Sequence, residues 1–404
     1  MNILIISQYA GGPMGDRPRQ LAHRWTPLGD RVAIVTADPG QGQDPEIKRG
    51  LEKKTLDGVE HVFLPIPPSG GEGEGEEDED GERSSFAKRL YGLAPQIARE
   101  LAPDVVVAAS GHPWDALGAR RIARRARGGF VFELRENWPD IREERRGRPD
   151  PRARRAMGAA LGKSDRVVSL LPRGAEYLKA LGVPPDKAVC IPDFSGPSPA
   201  DRGLSPHLEE ALDHLRACYD FLVLYQGDLA PERALGRLVD AAKLLEGQSL
   251  AVVILGGGRG RGALLRQMRE VTAANVYLLD GAEEGERPEL YRRADCLYYG
   301  DGRSAAVRYG VGSQALVELM AWGTPVVTAL DTDQSPVELA GCGLNAREGD
   351  AAALARALAR MRDTPPARRR AMGERGRAFV QKNHDPQVLT QAYRSLLEET
   401  VRQK

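Results

Sequence analysis

The chain has 404 residues, with 57 lysines and arginines balanced by 57 aspartates and glutamates, so its formal net charge is +0. This length exceeds what one hydrophobic core usually organises and therefore predicts two domains. The charge balance argues against an overall nucleic-acid-binding protein, and no uncharged apolar run approaches the roughly 18 residues that a membrane span needs.

The chain begins directly with an apolar strand pattern and lacks the basic region of a secretory signal, so we expect no such signal. Four cysteines are scattered along the chain, and no pair has metal-ligand spacing. They are Cys190, Cys218, Cys296 and Cys342. Their mostly apolar or glycine-rich surroundings predict buried free thiols in a reducing compartment, and therefore a cytoplasmic protein.

Ten short apolar runs alternate with helical patterns along the chain. They span residues 3–6, 31–36, 104–109, 130–134, 166–171, 221–225, 250–255, 276–279, 296–299 and 325–328. Strands that are apolar on both faces indicate a parallel sheet covered by helices, so the predicted fold class is α/β.

The same pattern divides the chain into domains. The first spans residues 1–195 and the second 219–382, joined by a linker at 196–218 that begins Pro- and Ser-rich and contains a polar helix. Residues 383–404 read as a C-terminal helix. An acidic, glycine-rich stretch at about 68–85 has nothing apolar to bury and predicts a disordered loop. A cation site there is disfavoured, because no backbone constraint would organise these carboxylates.

The segment from Arg142 to Arg155 is strongly basic. Two interpretations fit this segment equally well. It is either a solvated helix face or a surface that touches anionic lipid headgroups or a lipid diphosphate acceptor. Nucleic acid is not an expected partner, because no aromatic residue interleaves with these arginines.

The most informative motif spans residues 309–327, where a glycine-rich loop opens a helix and a strand follows. Gly310 and Gly312 have no side chains, so amides at the helix start can approach a phosphate closely. Glu318, further along the helix, can accept hydrogen bonds from a diol. The segment therefore outlines a site for a nucleoside diphosphate.

Two more glycine loops follow predicted strands. The first contains Gly227 and Asp228 and leads to Arg233, and the second contains Gly256 and Gly258. The carboxyl ends of parallel strands are where open α/β sheets bind ligands. One glycine after a strand usually marks only a turn, but three such loops in order favour a ligand site.

This ordered set resembles the retaining glycosyltransferases of the GT-B fold, in the large nucleotide-sugar family called glycosyl transferases group 1. In the first half, the resemblance rests on residues 6–13, 17–22 and 30–36. The block Phe130 to Asp140, followed by Val168 to Pro172, resembles the branch that builds bacterial O-antigen, capsule or exopolysaccharide. Glu318 to Val327 resembles the family's signature helix and the strand after it, so the resemblance covers nearly the whole chain.

The resemblance implies two Rossmann-like domains facing across a cleft, with the acceptor held by the first domain and the nucleotide sugar by the second. It also implies that the C-terminal helix packs back on the first domain. Glu318 would accept hydrogen bonds from the donor ribose, and Arg233 would neutralise the leaving diphosphate. Gly11 and Gly12 would line the cleft near the reacting sugar. Further donor contacts are implied for Gly227, Gly256, Gly258, Asp280, Gly310, Val311, Gly312, Ser313 and Gln314.

Arginine and helix amides can stabilise a departing diphosphate in place of a metal ion. The resemblance therefore implies a metal-independent hexosyl transfer with retention, with no cofactor and with a UDP-sugar favoured over a GDP-sugar as the donor.

Three further positions carry alternatives that the residues leave open. His112 lies between a strand and a helix, where it suits a catalytic or acceptor role or merely a loop. Arg135 and Glu136 follow a strand, where chemistry and an internal ion pair are both consistent with the pattern. Arg135 is a catalytic candidate, and Arg17 and Glu136 are acceptor candidates.

Four positions depart from the family's pattern. Gly310 stands where relatives often have a first glutamate, Ala315 where the branch commonly has lysine, Asp228 where many have a basic residue, and Arg135 where many have histidine. Two alternatives to transfer therefore stay open. One is a nucleotide-binding pseudoenzyme or scaffold in a polysaccharide cluster, and the other is a nucleotide-sugar epimerase.

The predicted function is transfer of a sugar from a nucleotide-diphosphate donor to a glycan or lipid-linked acceptor in bacterial surface-polysaccharide synthesis. The predicted location is cytoplasmic, with a peripheral contact on the cytoplasmic face of the inner membrane.

Overall fold

A computed structural model describes residues 1–8, 10, 16–38, 51–66, 76–194, 200–347 and 350–404. The chain divides into two compact units. The first comprises Met1–Pro192 together with Pro386–Lys404, and the second comprises Asp193–Asp385.

The first unit contains an eight-stranded sheet in the order β3-β4-β2-β1-β5-β6-β7-β8. Its strands are β1 (Asn2–Ile6), β2 (Arg31–Asp38), β3 (Glu52–Leu56), β4 (Val59–Pro65), β5 (Val105–Ala108), β6 (Gly129–Leu134), β7 (Arg166–Ser169) and β8 (Ala188–Cys190). All neighbours pair in parallel except β3 and β4, which form an antiparallel edge. The central strands β5 and β6 are buried along their whole length, as strands covered on both faces must be.

The described residues before Asp193 form six α-helices. They are α1 (Asp16–Trp25), α2 (Glu76–Leu101), α3 (Asp115–Ala126), α4 (Trp138–Arg146), α5 (Pro151–Lys163) and α6 (Gly174–Ala180). Helices α2 and α3 pack very closely at Gly118, where an added Cβ would lie 2.6 Å from the Leu90 side chain.

The second unit contains a six-stranded, fully parallel sheet in the order β11-β10-β9-β12-β13-β14. Its strands are β9 (Phe221–Gln226), β10 (Leu250–Leu255), β11 (Val276–Leu279), β12 (Cys296–Gly300), β13 (Val326–Ala329) and β14 (Gly343–Asn345). Its helices are α7 (Pro206–Cys218), α8 (Leu235–Lys243), α9 (Arg261–Val271), α10 (Arg287–Arg293), α11 (Ser304–Val307), α12 (Gln314–Ala321), α13 (Pro336–Leu339), α14 (Ala351–Asp363) and α15 (Pro366–Asn383). Alternate residues of β9 feed two separate cores, because successive side chains of a strand point to opposite faces.

The final helix, α16 (Pro386–Arg402), belongs to the first unit. Trp25 Nε1 donates a hydrogen bond to the Thr390 carbonyl oxygen at 3.0 Å, and the Trp25 ring meets Tyr393 edge-on at 5.4 Å. Arg394 Nε lies 2.6 Å from an Asp30 carboxylate oxygen. The last residues of the chain therefore complete the core that the first residues begin.

These elements confirm the α/β fold class, and each of the ten predicted apolar runs overlaps a strand. Four strands were not predicted, for physical reasons. Strand β3 is a polar edge strand and β4 pairs with it, while β8 and β14 have only three residues each.

Two predicted boundaries differ from the structure. The acidic segment predicted as a loop at about 68–85 is helical over its described residues from Glu76 onward; its residues 68–75 lie outside the described residues. Within the predicted linker at 196–218, Pro206–Cys218 forms α7, which packs into the second unit through Leu208, Leu212 and Leu215.

Candidate functional site

The strand order of the second sheet reverses beside β9. The chain runs from β9 outward through β10 to β11, and then returns to the other side of β9 as β12. A crevice at the carboxyl ends of strands opens at such a reversal, and ligands of open α/β sheets bind there. Arg233 follows β9, and Tyr299 lies near the end of β12.

The loops after β9 and β10 approach each other backbone to backbone. The Leu229 amide donates to the Gly257 carbonyl oxygen at 2.8 Å, and the Gly227 amide donates to the Leu255 carbonyl oxygen at 3.0 Å. A Cβ at Gly256 would overlap the Gly227 carbonyl oxygen, and one at Gly258 would overlap the Asp228 carboxylate. Close packing of the two loops therefore explains why glycine is needed at Gly256 and Gly258. The donor contacts predicted for Gly227, Gly256 and Gly258 stay predictions.

Arg233, Tyr299 and Ser313 lie together at the reversal point. The Arg233 guanidinium carbon is 5.9 Å from the centre of the Tyr299 ring. Burial raises the pKa of the Tyr299 hydroxyl, while the charge of Arg233 and a hydrogen bond with Ser313 act in the opposite direction. The arrangement joins the loop after β9 to the glycine-rich loop before α12, and a ligand shared by the two loops stays a prediction.

The start of α12 is held by its own side chains. Ser313 caps the helix by accepting a hydrogen bond from the Leu316 amide at 3.4 Å. Gly310 has φ +96°, a left-handed conformation that favours glycine. Gln314 Nε2 donates to the half-buried Glu318 carboxylate at 2.8 Å. Val311 and Gly312 lie in the same loop, so the predicted phosphate-binding amides and the predicted ribose acceptor are on one short element.

Two arginines that the sequence analysis did not single out add positive charge beside Arg233. Arg259 Nη2 lies 2.5 Å from the Glu232 carboxylate, and the Gly302 amide donates to the Glu232 carbonyl oxygen at 2.8 Å. Burial alone would raise the pKa of Glu232, but its own backbone amide, Arg259 and Arg303 lower it overall. The only sequence signals for Arg259 and Arg303 are their positions directly after strand-end loops.

Gln226 is a further residue that sequence reasoning missed. Its side chain donates to the Ala282 carbonyl oxygen at 3.3 Å and accepts from the Ala282 amide at 3.2 Å. These two bonds hold the turn after β11, where Asp280 has an exposed side chain 3.4 Å from Arg261. The turn predicted to cradle a base is therefore positioned from β9.

In the first unit, Arg17 is buried and bonded to other residues of the same unit. Its side chain is buried, with Nε 3.1 Å from a Glu133 carboxylate oxygen and Nη2 donating to the Ile191 carbonyl oxygen at 3.3 Å. Tyr393 of α16 lies against the same guanidinium at 6.0 Å, and the acceptor contact predicted for Arg17 stays a prediction. Gly11 and Gly12 lie outside the described residues.

The other predicted residues of this unit lie at the carboxyl edge of its sheet. His112 is buried, and its ring meets Trp138 edge-on at 4.4 Å. Arg135 and Glu136 are half-buried after β6, and Arg135 Nη1 lies 3.5 Å from the Ala109 carbonyl oxygen. The structure therefore brings His112 and Arg135 to neighbouring strand ends.

Part of the basic segment is neutralised internally. Arg154 makes ion pairs with Asp140 at 2.7 Å and Glu143 at 2.6 Å, and its pKa is raised chiefly by the Glu143 hydrogen bonds. Arg142 Nε is 2.9 Å from Asp150. These two arginines tie α4 to α5, and the lipid contact considered for residues 142–155 stays a prediction.

The prediction that the cysteines are buried holds for two of the four. Cys296 and Cys342 are buried, and burial raises the pKa of each thiol to about 12, whereas Cys190 and Cys218 are exposed. In the described ranges, no group of three or more His, Cys, Asp or Glu side chains is placed to hold a metal ion. Among the helices described, none has both the length and the apolar character needed to cross a membrane.

Comparison with known proteins identifies the family. The family described as Glycosyl transferase 4-like domain matches residues 12–193, and Glycosyl transferases group 1 matches residues 214–379. The chain therefore belongs to the glycosyltransferases with the GT-B fold, as the sequence resemblance implies. A comparison with curated proteins finds no match.

Solved structures show the same fold along the whole chain. Sucrose-phosphate synthase from Thermosynechococcus elongatus has a TM-score of 0.76 at 16% identity, covering 100% of this chain and 99% of that chain. Anabaena HepE in complex with UDP and glucose has a TM-score of 0.69 at 16% identity, covering 98% and 99%. An α,α-trehalose-phosphate synthase (UDP-forming) from Burkholderia vietnamiensis also has a TM-score of 0.69 at 16% identity, covering 98% of this chain and 99% of that chain.

Proposed function

We propose that this glycosyltransferase moves a hexosyl group, with retention, from a nucleotide-diphosphate donor to a glycan or lipid-linked acceptor in bacterial surface-polysaccharide synthesis. The observation that carries the donor part is the grouping of Arg233, Tyr299 and Ser313 beside the helix that bears Glu318. The process itself rests on the resemblance of residues 130–140 and 168–172 to the polysaccharide branch.

The charges of this grouping suit a nucleoside diphosphate. The amides at the start of α12 and the Arg233 guanidinium favour an anion, because the helix dipole and the cation act in the same direction. As the sugar–phosphate bond breaks, negative charge grows on the diphosphate, and fixed donors stabilise that charge without reorganising. Glu318 then accepts from the ribose, and backbone groups after β11 surround the base.

A UDP-sugar is the proposed donor. Two of the similar structures name UDP in their descriptions, one as a bound ligand and one as a product. On the acceptor side, His112, Arg135 and Glu136 remain the proposed contacts, because all three lie at the carboxyl edge of the first sheet.

The test of the donor site is Glu318→Gln. Hydrogen bonds to a charged group contribute about 1.5–3 kcal/mol each, so losing the charge should weaken nucleoside diphosphate binding at least about tenfold. Calorimetric titration of UDP and GDP measures this loss, which should appear for both nucleotides because the ribose is common to them.

Glu338→Gln is the matched control, since Glu338 lies on α13 in an exposed ion pair with Arg347 at 2.8 Å. It should bind like the parent. If the parent binds a nucleotide and Glu318→Gln binds it equally well, Glu318 only holds Gln314 and its ribose role is wrong.

A scaffold that binds nucleotides without turnover is the second candidate, favoured by Gly310 and Asp228, where relatives often have a carboxylate and a base. Incubation with a panel of nucleotide sugars, with and without lipid-linked acceptors, distinguishes the two by mass spectrometry. A glycosylated acceptor supports transfer, binding without any product supports the scaffold, and a free altered sugar supports an epimerase.

Metal independence is a further part of the proposal. Arginine and helix amides supply the positive charge that a divalent ion would otherwise bring to the diphosphate. Activity should therefore be unchanged by EDTA. Loss of activity in EDTA and recovery with manganese would contradict this part alone.

A further inference from the structure

A cavity of about 950 Å³ opens in the first unit, and the residues that line it all belong to that unit. Its walls come from α2, the loop after β5, α3, α4 and the start of α5. This volume is near the top of the range of roughly 300–1,000 Å³ for small-molecule sites. The close packing of Gly118 against Leu90 fixes the wall in which the next residues, Leu117 and Tyr91, line the cavity.

One side of the cavity is apolar although it is open to solvent. Tyr91, Trp114 and Leu117 are 49%, 39% and 48% exposed, and they are three of eight large hydrophobic side chains exposed among the described residues. Their clustering in one cavity is not the scatter that ordinary surfaces show. The Arg121 guanidinium lies 4.3 Å from the centre of the Tyr91 ring, so this ring is held in place before any ligand arrives.

The rest of the lining is strongly basic. Lys88, Arg148 and Arg152 are exposed, and the structure shows no ion pair between them and other residues in the described ranges. Arg142 also lines the cavity, where it lies 5.2 Å from the Trp138 ring centre while bonded to Asp150. Among the lining residues whose side chains the structure describes, Asp150 is the only carboxylate, and it caps α5 through the Ala153 amide at 3.0 Å.

A lining that combines basic and apolar side chains is complementary to an amphiphilic anion. Arginines suit phosphate oxygens because the guanidinium presents several donors in a planar fork. The aromatic and aliphatic side chains of the lining would cover a hydrocarbon chain, whose burial is favourable in proportion to its apolar area. A hexose phosphate would satisfy the basic side chains but leave Leu117 and much of the volume uncovered.

We propose that this cavity binds a phosphate or diphosphate ester of an apolar chain. Lys88, Arg148 and Arg152 hold the phosphate, and Tyr91, Trp114 and Leu117 hold the chain. As the acceptor site, the cavity deepens the proposed function and rests on it, since His112 also lines the cavity. The binding itself does not depend on transfer.

The probe is farnesyl diphosphate, titrated calorimetrically with saturating UDP present so that the donor site is filled. Removing two phosphate-binding cations in Arg148→Ser/Arg152→Ser should lower the affinity at least about tenfold, since charge-assisted bonds to phosphate are lost. Leu117→Ser should lower the affinity for farnesyl diphosphate severalfold and leave the affinity for inorganic pyrophosphate unchanged, because only farnesyl diphosphate has a hydrocarbon chain.

Arg124→Ser/Arg155→Ser is the matched control. Both residues are exposed on α3 and α5, neither lines the cavity, and the variant loses the same net charge. It should bind the probe like the parent. Equal weakening of both double variants would mean general charge attraction and would overturn the site.

Three other results would also overturn it. They are no binding of farnesyl diphosphate by the parent, equal affinity of pyrophosphate and farnesyl diphosphate, or glucose 6-phosphate binding as tightly as the probe. A parent that binds UDP but not the probe contradicts only this inference. A parent that binds the probe when titrated without UDP, but does not bind UDP, contradicts the proposed donor site instead. Sedimentation with vesicles containing an isoprenoid phosphate then separates a membrane-held source from a free one.

Discussion

Gly256 illustrates how a single residue lets two loops pack together at the carboxyl edge of the second sheet. Its backbone has φ +144°, which side-chain-bearing residues rarely adopt, and a Cβ there would overlap the Gly227 carbonyl oxygen. The loops after β9 and β10 can therefore stay together only while this position is glycine.

We expect Gly256→Ala to destabilise the second unit by about 1–3 kcal/mol, because a strained backbone and a steric overlap are introduced together. Denaturant unfolding measures the loss, and UDP titration should show weaker binding because the loop after β9 leads to Arg233. Gly257→Ala is the neighbouring control, since a Cβ there meets nothing within 4 Å. Similar unfolding curves for the two variants would show that the loops separate at little cost.

The residues that sequence reasoning found and missed differ in a physical way. Gly310, Ser313 and Glu318 were predicted because a glycine loop, a helix start and a carboxylate lie close together along the chain. Gln226 and Tyr299 were not, because their roles come from contacts with Ala282, Arg233 and Ser313 across the sheet. Local patterns do not record such long-range contacts.

At the scale of elements, α16 shows the same limit. Its sequence predicts a helix, but the hydrogen bond from Trp25 to Thr390 joins positions 365 residues apart, which periodicity cannot pair. Tyr393 lies fully buried between the Trp25 ring and the Arg17 guanidinium. Burial also raises the pKa of its hydroxyl well above the ordinary value, so the ring stays neutral there.

Tyr393→Ala should lower the free energy of unfolding of the first unit by about 3–5 kcal/mol, as truncation of a large buried aromatic ring does. Circular dichroism during denaturant unfolding provides the measurement. Val388→Ala, on the same helix at a position that is 64% exposed, should change stability by less than about 0.5 kcal/mol. Equal effects of the two substitutions would mean that α16 contributes little to this core.

At the scale of the whole molecule, the fold class was readable because the inner strands are apolar on both faces. What the sequence concealed lies at the sheet edges, where β3 is largely exposed and polar. The acidic segment was also misread, because its negative charge suggested disorder although its described residues from Glu76 onward are helical. Edge strands and highly charged helices obey weaker patterns than buried strands do.

Each unit also carries a buried or half-buried histidine whose pKa is lowered by burial. His61 lies in β4, with Nδ1 3.0 Å from the Val59 carbonyl oxygen, and His384 follows α15, with Nδ1 2.6 Å from the Asp193 carbonyl oxygen. Both stay neutral when folded at a pH where the unfolded chain takes up protons. Above the unfolded pKa of about 6.5, neither histidine lowers the free energy of unfolding. As pH falls from there toward the lower folded pKa, the unfolded chain binds the extra proton and the free energy of unfolding decreases.

We expect the unfolding free energy to fall between pH 7 and pH 5, by up to about 1.4 kcal/mol per pH unit for each histidine. Asp30 and Glu143 have lowered pKa values and stay ionised over this range, so they add no slope there. His61→Leu should flatten the pH dependence of the first unit, and His384→Leu that of the second, in denaturant unfolding at several pH values. His207→Gln, at an exposed position on α7, should keep the parent's slope. A parent whose stability is constant from pH 7 to pH 5, or leucine variants with the parent's full slope, would show that neither histidine resists protonation in the folded chain.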